Sequence, residues 1–105
     1  MNDVKALKGS QRKYLRGLSH KLNPAAVVGQ KGITQGLIDE ITKALDAAEL
    51  IKIKFAAFKK KDQKKTLLEW IAASTKAHLA GMTGHVAILY RQNSDTEKQQ
   101  ITLPE

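Results

Sequence analysis

Gly29-Gln30-Lys31-Gly32 joins an apolar run to a helix-like pattern, and its residue types suit the capture of an anion. Several chemistries compete for it. A mononucleotide loop needs Gly-Lys-Ser/Thr, but here Lys31 precedes Gly32 and Ile33 follows. A dinucleotide fingerprint needs GxGxxG, and Gly29, Gly32 and Gly36 have other spacings. Catalysis finds no support elsewhere. His20, His78 and His85 lack metal-ligand spacing, no carboxylate pair or Ser/His/Asp set stands out, and the chain has no cysteine. The expectation is a non-enzyme without metal or cofactor. GxxG spacing alone proves little, since at 7% glycine a chance pair arises about once in 200 positions. Gly81-Met82-Thr83-Gly84 is a second instance. Placement separates the two. The first precedes a helix start, where backbone N–H groups and the positive dipole end favour an anion, and glycines admit a sugar-phosphate backbone closely. A plain left-handed turn joining strand to helix is the competing reading.

Charge bears on the choice. Eighteen Lys+Arg against ten Asp+Glu give a net charge of +8 and a pI near 9.8. Two blocks carry the excess, residues 1–34 and 52–65, each at +6. Nucleic acid is the partner such a distribution suits best, with an acidic protein as the alternative and lysines kept for solubility as the bland one. No apolar run reaches the length of a membrane span, and the N-terminal residues lack the apolar region of a signal peptide, so a cytoplasmic location is expected; a monomer is expected separately.

The elements that must position these residues follow from periodicity. Gln11, Tyr14, Leu15, Leu18 and Leu22 predict a helix over about 9–22, with Ser10 as N-cap and Asn23-Pro24 as its stop. Ala25–Val28 predicts a short buried strand. Thr34 caps a second helix through about 48, with Leu37, Ile38, Ile41, Ala44, Leu45 and Ala48 inward. Ile51, Ile53 and Phe55 alternate with Lys52 and Lys54, which predicts a half-buried strand. A polar connection at 59–65 leads to a helix over about 65–76, whose periodicity runs on to Leu79. Residues 86–91 predict a strand, and 92–105 a polar tail with a short extended end. The order gives an α/β fold of one sheet with packed helices, the whole chain forming one domain with its core over about 9–91. If the strands of 25–28 and 50–55 pair, Arg12, Arg16, Lys21, Lys52 and Lys54 converge on the GQKG loop. There a GxxG clamp of the KH type would hold about four nucleotides. Lys59, Lys60, Lys61, Lys64 and Lys65 read as a mobile electrostatic fringe.

One combination is far more specific than its parts: LSHKLNP at 18–24, VVGQKG at 27–32, ELIKIK at 49–54, GHVAILYR at 84–91 and the closing ITLP. Across nearly the whole chain this resembles the CRM (chloroplast RNA splicing and ribosome maturation) domain family, and in length its stand-alone bacterial members of the YhbY type. The resemblance implies a four-stranded mixed sheet like that of the C-terminal domain of translation initiation factor three, with a strand at about 77–83 joined to 86–91 through Gly84-His85. It implies RNA binding through Gly29, Gln30, Lys31 and Gly32, with Lys52, Lys54 and Arg91 on the family's basic strand positions. Ribosomal RNA in large-subunit (pre-50S) precursors is the implied partner. Gly81 and the lysine-rich connection at 59–65 lie outside that pattern.

Overall fold

A computed structural model describes residues 6–105. Helix α1 (Gly9–Ser19) starts where the Gln11 side chain accepts the Lys8 N–H at 2.9 Å, so Lys8 and not Ser10 is its N-cap. It stops three residues earlier than periodicity predicts, because the approach to Pro24 favours extended backbone. Strand β1 (Pro24–Val28) leads through the glycine loop into α2 (Gln35–Ala48). Thr34 caps α2 as expected, its hydroxyl accepting the Leu37 N–H at 3.0 Å. Strand β2 (Leu50–Phe55) follows after Glu49, which adopts φ 64° to turn the chain.

The third helix departs most from its sequence expectation. Helix α3 spans Lys61–Thr75, four residues earlier at its start, and does not run to Leu79. Gln63 accepts the Lys60 N–H and Asp62 lies in the first turn, both favouring an early start. Lys76 then takes a left-handed conformation (φ 59°), which releases the chain into β3 (His78–Thr83). Gly84, at φ 60° in the first position of a two-residue turn, closes the hairpin to β4 (Val86–Tyr90). The strand that only the family resemblance implied is therefore present. A short 3₁₀ turn, Thr96–Lys98, lies in the tail.

The sheet order is β1-β2-β4-β3, with β1 parallel to β2 and the other pairs antiparallel. Helices cover both faces. On one, α2 and α3 bury Val28, Leu37, Ile41, Leu45, Ile51, Ile53, Phe55, Leu68, Ile71 and Leu89. On the other, α1 and the tail cover Leu50, Ala80, Ile88 and Tyr90, with Leu15 at the centre. Tyr14 and Leu18, expected inward, lie on the outer flank of α1 at about 40% exposure, while Ser19 takes a buried place.

The tail is no loose polar segment. Glu49 is fully buried, and its carboxylate accepts the N–H groups of Asn93 (2.6 Å), Gln100 (2.7 Å) and Ile101 (3.0 Å). Ile101 and Leu103 then pack against the α1-side core.

Candidate nucleic-acid interface

The glycine loop is a closed turn. The Gly32 N–H donates to the Gly29 carbonyl at 3.0 Å, which puts Gln30 and Lys31 at the two corners, both exposed. Gly32 sits at φ 68°, where a side chain is strained, and the Phe58 ring lies 3.6 Å from where a Cβ would stand. Gly29 has ordinary backbone geometry and open space, with nothing within 4 Å of a Cβ built there. The two glycines therefore do different jobs: Gly32 forms the turn, and Gly29 leaves its outer face bare. Among the described residues, no backbone acceptor meets the N–H groups of Gln30 or Lys31. The first turn of α2 lies just beyond, where Thr34 takes the Leu37 N–H and the helix end carries positive partial charge.

Strand pairing decides which basic residues join this turn. Lys54 pairs with Val27 on β1, one residue before the strand end, and points to the α1 side with Lys52 two positions behind it. That face is uncovered over β1, where Val27 is 52% exposed. The structure thus brings Gly29, Gln30, Lys31, Gly32, Lys54 and, at the margin, Lys52 together. Lys21 stands in the connection into β1, three residues before Pro24, which is the register partner of Lys52.

The helix α1 arginines go elsewhere. The stem of Arg16 lies across Gly81 on β3, the far edge of the sheet, where a Cβ would come within 2.6 Å of its Cδ. Three strand spacings, about 14 Å, separate that edge from β1. Arg12 donates to the Leu7 carbonyl at 2.6 Å, farther back on the same helix. Arg91 is at the opposite end of the sheet, paired with Asp46 and donating to the Thr75 carbonyl at 2.9 Å. From Leu50, beside that end, to Phe55 is about 17 Å along β2. The convergence expected of Arg12 and Arg16 does not occur, and Lys21 stays at the start of β1 while the turn follows its end. Arg91, which the resemblance put on a basic strand position, lies away from the turn.

Sequence reading missed one group at the near end. Lys64 is buried, and its Nζ donates to the Gly84 carbonyl at 2.8 Å and to His85 Nδ1 at 3.2 Å. It is a fixed strut of the hairpin turn and not part of a mobile fringe. His85 titrates below the ordinary histidine value, through desolvation and then through the charges of Lys64 and Lys59. The large cavity, about 1040 Å³, lies at the other end along the seam of tail and sheet, bordered by Leu7, His78, Tyr90, Arg91 and Ile101. Among the described residues no His/Asp/Glu cluster could hold a metal. No helix there is long and apolar enough to cross a membrane.

The sequence model of the CRS1/YhbY (CRM) domain matches residues 7–91. The chain belongs to this family. It is 38% identical over 98 residues to a Haemophilus influenzae protein named RNA-binding protein, covering 93% of this chain and 95% of that one. It is 33% identical over 98 residues to the probable RNA-binding protein YqeI of Bacillus subtilis, covering 93% and 99%. The solution structure of a Staphylococcus aureus hypothetical protein superposes with a TM-score of 0.77 at 32% identity, covering 93% of this chain and 99% of that one. The CRM sheet of this chain therefore carries its glycine turn between β1 and α2, with Lys31 at the tip.

Proposed function

We propose that this CRM protein is a non-catalytic RNA-binding module that engages ribosomal RNA in large-subunit precursors. The observation that carries the reading is the exposed Gly29–Gly32 turn. Its Gln30 and Lys31 N–H groups (unpaired among the described residues), the Lys31 ammonium and the start of α2 lie together in sequence and space, with no Cβ at Gly29 to hold a phosphate away. Family membership and relatives named for RNA binding support the same partner class. Affinity comes mainly from phosphates, with Lys54 and Lys52 neutralising the strand beside the turn and Gln30 able to offer its amide to a base edge. Tagged protein sedimented from lysate tests the reading. It is expected to travel with large-subunit precursor particles, to leave them on nuclease treatment, and to leave them when Lys31→Ala is introduced. Association that survives nuclease would instead support the rival adaptor reading, an acidic protein partner.

A further inference from the structure

The lysines of 59–64 are not accounted for by the turn. They belong to the same edge of the molecule, held there by backbone. Ala56 and Ala57 donate to the Val28 carbonyl at 2.9 and 3.2 Å, and Phe55 donates to the His85 carbonyl at 2.7 Å. Phe58, in a left-handed conformation, puts its ring beneath Gly32. The glycine turn, the 56–60 loop and the Gly84-His85 turn are thus laced into one rim across the ends of β1, β2 and β4.

This rim is charged against local preference. Lys60 is the N-cap of α3 and Lys61 its first residue, where the helix end already carries positive partial charge and cations are disfavoured. Lys59 precedes them, and Asp62 is the only acid in the first turn. Among the described residues the only ion pair is Arg91–Asp46, at the opposite end, so these ammonium groups have no neutralising partner. Lys64 fixes the neighbouring imidazole. Because its Nζ donates to Nδ1, the neutral ring carries its proton on Nε2 and offers a donor to solvent. Among the described residues the exposed large apolar side chains are Tyr14, Leu18, Val27, Trp70 and Leu79. None lies in 56–64 or 84–85, so the corner lacks the apolar centre of a protein interface and suits a flexible polyanion.

We propose that Lys59, Lys60 and His85 form a second phosphate subsite, which continues the RNA strand held at the Gly29–Gly32 turn across the rim to β4. The two strand spacings between them amount to about 10 Å. This rests on the turn being an RNA clamp. The test is equilibrium binding of uridine oligonucleotides of about four and about ten nucleotides over a salt series, four being the reach of one such loop. The double variant Lys59→Ala/Lys60→Ala keeps the backbone cap of α3. It is expected to bind the shorter RNA as the wild type does. For the longer RNA it should lower the slope of log K against log[salt] by about 1.4, two phosphates at about 0.7 each. A wild-type slope on the longer RNA overturns the proposal. So does an equal fall with the charge-matched Lys43→Ala/Lys98→Ala, or an equal fall on the shorter RNA. If Lys31→Ala binds both lengths normally, the clamp reading fails and the continuation fails with it. A Lys31→Ala defect beside a normal double variant overturns the continuation alone.

Discussion

Replacing Glu49 by glutamine tests how the tail is held. The side chain is fully buried, with Oε2 accepting one backbone N–H and Oε1 two, at 2.6 to 3.0 Å. An amide fits the same volume but must aim an NH₂ at one of these donors. The cheaper orientation sacrifices Asn93 and leaves two donors facing each other, a loss of about 1–3 kcal/mol. The two surviving bonds lose their charge assistance, about 1 kcal/mol each. Burying an amide is less costly than burying a carboxylate, which offsets part of this. The expected net loss is about 2–4 kcal/mol, or roughly 10–25 °C in Tm for a chain of this size. Urea unfolding at constant m reads it directly, and proteolysis after residue 92 should accelerate. The exposed Glu69→Gln serves as control, expected within about 0.5 kcal/mol of wild type. Because the edge proposed to hold RNA is at the other end of β2, folded Glu49→Gln protein should bind RNA normally. A stability loss below about 0.5 kcal/mol would refute the anchoring role of the carboxylate.

Two further substitutions separate glycine roles. Gly29→Ala meets open space and no positive φ, so stability should hold within about 0.5 kcal/mol while RNA affinity drops; Gly32→Ala, at φ 68°, should cost about 1 kcal/mol of stability as well, both read by thermal unfolding beside binding. Gly81→Ala should destabilise the wild type by driving a Cβ into the Arg16 stem, but stabilise the Arg16→Ala background, where alanine suits a strand better than glycine by about 0.5–1 kcal/mol; an additive double-mutant cycle would show that Arg16 is not what keeps Gly81 small.

Where local chemistry dominates, the sequence was readable. Thr34 marks a helix start because its hydroxyl satisfies an N–H three residues on, and β2 shows its faces because Lys52 and Lys54 alternate with isoleucines. The turn at Gly29–Gly32 was readable as a candidate because it falls between two such elements. Strand β3 was not, since HLAGMT has weak strand propensity and is extended only because β4 pairs with it. Lys64 and Glu49 sit in stretches that look like solvated charge, and their burial depends on partners 20 and 51 residues away. The placement of Arg16 and Arg91 depends on strand order, which puts β3 and β1 at opposite edges. Periodicity carries no information about that order.

The central claim is that the Gly29–Gly32 turn holds an RNA backbone. Amide chemical-shift mapping with a short single-stranded RNA tests it most directly, because the donors in question are backbone N–H groups. The account predicts the largest shifts at Gln30, Lys31 and Gly32 and the first turn of α2, with Lys54 following and the tail around Glu49 silent. Saturable binding that leaves the amides of residues 29–36 unmoved would contradict it.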